Sequence, residues 1–274
     1  MRFSFVIMSK EKEYYDIVFV VLTYRNTKDL EDFFRYNKIP QSHTIVVNSF
    51  YDELSEKAFK EISINNDADF LSVPNRGYGA GNNSGCKYAL ENYSFKYLII
   101  SNADVMIDTF KVESIEQYKD SIIAPKIINL SGKNQNPSVP FKPSVMLERF
   151  RYWIYKGNHQ KILWLYFVLS RLKKIFYYFL SPFRRKIFSA HGAFLIVPED
   201  VLKKLYPLYN EDMFLFNEEE HLGRYAKQKG IDTYYVPEII IRHKEDGSIS
   251  VANINEFEKL KQSYLVYYKC WISK

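Results

Sequence analysis

Residues 97–105 read YLIISNADV. An apolar run stops at Asn102, and a carboxylate, Asp104, follows two positions on. A buried strand that ends in polar residues presents them at its exit, where a ligand can reach them. Three further apolar runs precede this one: IVFVVLTY (17–24), TIVVN (44–48) and DFLSVPN (69–75). Polar, helix-like stretches, TKDLEDFFRYN and YDELSEKAFKEI, stand between them. Strand and helix in alternation predict an α/β fold, a mostly parallel central sheet with helices on both faces. In such sheets ligands collect at the carboxyl ends of the strands. Every unusual cluster of the first half falls at such an end: Thr23–Asn26, Asn48–Ser49, Asn75–Asn83 and Asn102–Asp104.

The second half is less regular. SIIAPKI (121–127), FSAHGAFLIVP (188–198) and TYYVPEIIIRH (233–243) read as strands, and SGKNQNPSVPFKP (131–143) as a loop. Ile254, Phe257, Leu260, Tyr264, Tyr267 and Trp271 recur near helical spacing, so 252–274 is expected to be a packing helix. With no repeat or low-complexity linker, the 274 residues are expected to form one domain, 1–274, carrying an insert at 145–187.

Composition narrows the class. A hydrophobic fraction of 47% and a charged fraction of 26% are those of a globular protein. Two cysteines, Cys86 and Cys270, make no disulfide framework, which suits a reducing compartment. The start, MRFSFVIMSKEKEYYD, lacks the long apolar stretch and small-residue cleavage site of a signal peptide. The net charge of +6 is local: residues 149–186 hold ten Lys or Arg and no acid, which leaves −4 for the rest. That distribution argues against a general nucleic-acid binder. The basic segment interleaves Trp, Tyr and Phe with Lys and Arg, and its apolar run ILWLYFVL is far shorter than the roughly 20 residues that cross a bilayer. It suits a helix lying on an anionic membrane; a helical pair with a solvated basic face, or a dimer interface, are the other readings.

The segment NRGYGAGNNSG (75–85) places three alternate glycines before a helix. Such a loop can bring backbone N–H groups to an anion, or it can be a tight turn with close packing. It is neither a Rossmann fingerprint, since its third glycine is one residue early, nor a P-loop.

Taken in order, VVLTYRN, TIVVNS, NRGYGAGNNSG, YLIISNADV, HGAFLIVP, FLFNEEEHLGRY and IIIRHKEDGS resemble the motifs of family 2 glycosyltransferases. The flavour is that of the rhamnosyltransferase-like members that build bacterial surface polysaccharides. The resemblance runs over about residues 17–250 and implies the GT-A fold and inverting transfer. The implied donor is a UDP- or dTDP-linked hexose or deoxyhexose such as rhamnose or galactose. The implied acceptor is a glycan or polyprenyl-diphosphate-linked hydroxyl, in capsule, O-antigen or exopolysaccharide synthesis on the inner face of the cell membrane.

The resemblance also assigns residues. Asn102 and Asp104 of SNADV match the Asp-x-Asp-like element, with Asp104 holding Mn²⁺ or Mg²⁺ beside the donor diphosphate; the plain reading is a turn or helix cap. His243 closes its strand as the second metal ligand, or merely as a polar terminator; KEDGS with Gly247 and Ser248 favours the ligand. Glu218 and Glu219 fall on the acidic pair that faces the acceptor, and Glu219, at the second position, carries the general base. Glu stands where Asp is usual and His221 where a second acid is common, which leaves Glu218 against Glu219 open. Asn217 with Glu220 also reads as a capping box. His191, Gly192 and Glu218 are assigned to the acceptor. Thr23, Tyr24, Asn26 and Asn48 are assigned to base and ribose, and Asn75, Gly77, Gly79, Asn82 and Asn83 to the glycine-loop side of the donor. Arg76 either meets a phosphate or lies in solvent. A sugar-nucleotide pyrophosphorylase is disfavoured because VVLTYRNTKDL lacks glycine; a non-catalytic membrane-surface adaptor would use the insert alone.

Overall fold

A computed structural model describes residues 12–159, 161–163, 166, 168, 183–244 and 256–273. The first half alternates as the sequence predicts: β1 (Glu13–Thr23), α1 (Thr27–Tyr36), β2 (Ser42–Ser49), α2 (Glu53–Asn65), β3 (Asp69–Val73), α3 (Tyr78–Asn92) and β4 (Tyr93–Asn102). There follow β5 (Val105–Thr109), β6 (Ile122–Asn129), α4 (Val145–Lys156), β7 (Arg185–Ile187), β8 (Phe194–Pro198), α5 (Glu199–Leu205), α6 (Glu218–Gln228), β9 (Thr233–His243) and α7 (Glu256–Trp271).

One sheet takes strands from both halves, in the order β3-β2-β1-β4-β8-β6-β9-β5, with β7 also paired to β9. The four strands of the first half are mutually parallel. Beyond them β8 runs antiparallel to both β4 and β6, so the second half is mixed. The apolar runs are continuous because both sheet faces are covered. Val18, Val20, Leu98 and Ile100 point into one core, while Ile17, Phe19, Val21 and Ile99 point into the other. Helices α3, α5 and α6 pack on the first face, and α1 and α2 on the second.

Helix α3 lies unusually close to the sheet. A Cβ on Gly85 would sit 2.4 Å from Val20 Cγ1, and one on Gly81 2.4 Å from Leu22 Cδ1. The helix begins at Tyr78, so Gly79 and Gly81 belong to it, and their bareness is a packing requirement.

Three expectations need correction. YLIISNADV is not one strand: β4 ends at Asn102, a turn takes Ala103 and Asp104, and β5 starts at Val105. FSAHGAFLIVP is a strand only from Phe194; Ser189 makes one isolated bridge, to Val139. The capping box fails: Asn217 adopts a left-handed conformation (φ 65°) with no side-chain cap. Helix α7 forms as expected, and Ile254 lies outside the described residues. Tyr264 and Tyr267 pack with Ile154 and Tyr155 of α4 in a third core. Much of the basic segment beyond residue 159, together with Gly247 and Ser248, also lies outside the described residues. No helix among the described residues is long and apolar enough to cross a membrane.

Candidate active site

A cleft of about 660 Å³ opens at the carboxyl ends of β1 and β4. Thr23, Tyr24, Asn26, Asn75, Gly77, Asn102 and Asp104 line it from the first half. From the second half come His191, Gly192, Glu218, Glu219 and His243. The two groups of residues singled out in sequence therefore face one cavity.

Sheet register makes the first pair. Val105 of β5 stands opposite His243 of β9, which brings the turn residue Asp104 beside the imidazole. His243 Nε2 lies 3.3 Å from Asp104 Oδ1, and both side chains are almost buried. His243 Nδ1 lies 2.8 Å from Gln135 Oε1. With the Gln135 amide so oriented, Nδ1–H donates to its oxygen and the Nε2 lone pair faces the Asp104 carboxylate. A cation bound between them would take the Nε2 lone pair and the carboxylate together, whereas an imidazolium would pair with Asp104 directly. A carboxylate and an imidazole suit Mn²⁺, and a single carboxylate with phosphate oxygens suits Mg²⁺. No cluster of three or more His, Cys, Asp or Glu able to hold a metal occurs among the described residues, so phosphate and water would have to complete the shell.

The second pair opens α6. Glu218 is buried, and its Oε1 has no hydrogen-bond partner. Burial first, and then the charge of Glu219, push the Glu218 carboxyl up to about 8. Glu219 Oε1 accepts the backbone N–H of Gly192 at 3.2 Å. The Gly192 carbonyl in turn accepts Tyr78 Oη–H at 2.7 Å. A Cβ on Gly192 would come within 3.1 Å of that hydroxyl and 3.3 Å of Glu219 Oε1, so a larger residue would require both side chains to give by a few tenths of an ångström.

Arg151 of α4 explains the missing capping box. Its guanidinium donates to Asn217 Oδ1 at 2.6 Å and to Glu220 Oε1 at 2.9 Å, holding both ends of the turn that displays Glu218 and Glu219. The guanidinium lies over the Tyr264 ring, 4.2 Å from its centroid. His221, at the position of the usual second acid, is turned away: burial pushes it down to about 4, and Trp271 Nε1 donates to its Nδ1.

Five assigned residues stand back from the cleft. Asn48 is fully buried, with Nδ2 3.4 Å from Ser72 Oγ, and its neighbour Ser49 reaches the cavity instead. Gly79 packs on Tyr209. Asn82 donates to the Tyr78 carbonyl within α3. Asn83 ties α3 to the second half through the backbone of Tyr209 and the carboxylate of Glu211. Arg76 is exposed and pairs with Glu211 at 2.7 Å at the surface, which fits the solvent reading rather than the phosphate one. Gly77 alone among the loop glycines has a left-handed backbone, at φ 101°, and a Cβ there would also strike the Phe214 carbonyl.

Sequence reasoning missed Asp29, Tyr78 and Gln135, which all line the cleft. Tyr78 carried a signal, a large aromatic set between two glycines. Asp29 and Gln135 carried none: one reads as an ordinary helix acid and the other as a loop amide. At the rim, Arg25 stacks over Tyr51, 4.0 Å from its ring centroid, and Tyr51 meets Tyr24 edge-on.

No family model matches the chain. The Low-salt glycan biosynthesis hexosyltransferase Agl10 of Haloferax volcanii is 24% identical over 222 residues, which are 79% of this chain and 63% of that protein. A crystal structure of GalNAc-T7 with UDP, GalNAc and Mn²⁺ matches 84% of this chain and 44% of its own, at 13% identity and a TM-score of 0.56. A crystal structure of S. aureus TarS matches 94% of this chain and 44% of its own, at 12% identity and a TM-score of 0.53. The chain thus spans less than two thirds of the length of each of these proteins. The fold is the GT-A fold, and the chain is similar in sequence to a glycosyltransferase of the hexosyl class.

Proposed function

We propose that the protein is an inverting, divalent-metal-dependent glycosyltransferase that uses a nucleoside-diphosphate sugar. The observation that carries this reading is the meeting of Asp104 and His243 with Glu218 and Glu219 in one cleft. Asp104 and His243 would hold Mn²⁺ or Mg²⁺, which when bound offsets charge on the departing diphosphate. The Tyr24–Tyr51–Arg25 rim offers flat faces to a base, and a UDP or dTDP donor follows from the resemblance.

Burial keeps the Glu218 carboxyl protonated, which leaves Glu219, in contact with Gly192, to serve as base. The acceptor hydroxyl oxygen attacks the anomeric carbon, and its proton passes to Glu219. The bond from that carbon to the diphosphate breaks on the opposite face, and the nucleoside diphosphate leaves with the electron pair. Gly192 and Tyr78 fix the Glu219 carboxylate for that attack. The transferred sugar is a hexose or deoxyhexose and the acceptor a surface glycan or its polyprenyl-diphosphate-linked precursor.

Incubation with a panel of UDP- and dTDP-sugars and Mn²⁺, with released diphosphate as readout, tests this reading. Release from at least one donor, abolished by Asp104→Ala and by chelation, is the expected result. Release from none, or release indifferent to the metal, overturns it.

A further inference from the structure

Helix α4 has two working faces. Its inner face carries Glu148, Arg151, Ile154 and Tyr155, all buried. Its outer face carries Val145, Met146, Arg149, Trp153 and Lys156, all exposed. Met146, Arg149, Trp153 and Lys156 are spaced i, i+3, i+7 and i+10, so they share one side of the helix. Met146 is 76% and Trp153 49% exposed. Val145, at the start of the same helix, is 50% exposed, and Phe141, just before it in sequence, is 52% exposed.

Along the chain that carries this face the exposed charge has one sign. Between residues 130 and 159 the sole acid is Glu148, which is fully buried and accepts hydrogen bonds from Arg224, Tyr264 and Tyr267. Arg149 and Lys156 therefore face outward with no acid on their own face, in a segment that supplies ten basic residues.

We propose that the outer face of α4 docks on an anionic lipid bilayer. Trp and Met side chains would enter the headgroup boundary, while Arg149 and Lys156 pair with lipid phosphates and keep their stems along the apolar surface. The basic charge excludes a cationic partner, and the protruding apolar side chains distinguish the face from one built only for a soluble polyanion. The inner face of the same helix grips Asn217 and Glu220, so the bilayer would lie about one helix diameter, ~10 Å, from the turn bearing Glu218 and Glu219. Delivery of a lipid-linked acceptor to that turn rests on the glycosyltransferase reading; docking itself does not.

Flotation of the full chain with phosphatidylcholine vesicles, with and without phosphatidylglycerol, tests the proposal without any substrate. Binding is expected only to the anionic vesicles, with release as salt rises. Arg149→Glu with Lys156→Glu at unchanged melting temperature, and separately Met146→Ser with Trp153→Ser, are expected to weaken binding roughly tenfold or more. If a double variant fails to fold, Arg149→Glu alone, at an exposed position, carries the test. Equal binding to neutral vesicles, unweakened variants, or equal retention by RNA over the same salt series would each overturn it. Diphosphate release from free nucleotide sugar separates the two readings, since the outer-face variants should retain it.

Discussion

Two neighbouring acids in α6 have different fates because they meet water differently. Glu218 is enclosed with an unpartnered oxygen, whereas Glu219 is partly open and bound to Gly192. Glu219→Gln should lower kcat by about 10²–10⁴-fold with little change in donor affinity, as expected for loss of a base. Glu218→Gln should cost less; the reverse ranking in steady-state kinetics would exchange the roles. Glu218 also makes a stability prediction. Its folded-state value of about 8 lies above the usual 4.5, so the folded chain binds the extra proton between those limits. Stability from this group is fully present below about pH 4.5 and is lost as pH rises through 8. Glu218→Gln should therefore melt close to wild type near pH 4.5 and increasingly above it toward pH 8.5, by a difference on the order of 4 kcal/mol at most. A gap that is constant with pH would show that the carboxyl does not titrate in this window.

At the scale of elements, two contacts set the cleft walls. Helix α3 sits on bare glycines, and the close approach outweighs helix propensity. Gly85→Ala gains about 1 kcal/mol of propensity but forces a methyl against Val20 and Val47, an overpacking cost of about 1–3 kcal/mol or more. A lowered melting temperature is expected, where an exposed helical glycine would give a raised one. Helix α4 holds α6 through Arg151. Arg151→Met strands Glu220 in a nearly buried site and removes a partner from Asn217, with an expected loss of about 3–5 kcal/mol in denaturant unfolding. How far the sequence foretold these elements follows from their physics. β1, β2 and β4 were legible because both faces are buried and the apolar runs are unbroken, and the partly buried edge strand β3 because it follows them in the same alternation. β5 and β7 were missed because they are short; β5 follows β4 after a two-residue turn and reads as its continuation, and β7 has a single apolar residue. The Asn217–Glu220 pattern misled because a capping box and a turn held by a distant arginine use the same residue types.

At the scale of the whole molecule, the cleft exists because one sheet joins both halves. Asp104 leaves β4, His243 ends β9, and the acidic pair arrives on a helix packed over the same sheet. Asp104, His243, Glu218 and Glu219, which the resemblance singled out, line one cavity. The resemblance misplaced Asn48, Gly79, Asn82 and Asn83 because buried asparagines and glycines that pack a helix look, in one dimension, like a loop that holds phosphate. Equilibrium binding of UDP and dTDP by calorimetry, with and without Mn²⁺, on the wild type and on Asp104→Ala tests the shared cleft most directly. The account predicts that at least one nucleotide binds tightly to the wild type only when Mn²⁺ is present, and that Asp104→Ala removes the metal dependence along with the tight binding. Nucleotide binding of equal strength with and without Mn²⁺, unchanged by Asp104→Ala, would contradict it.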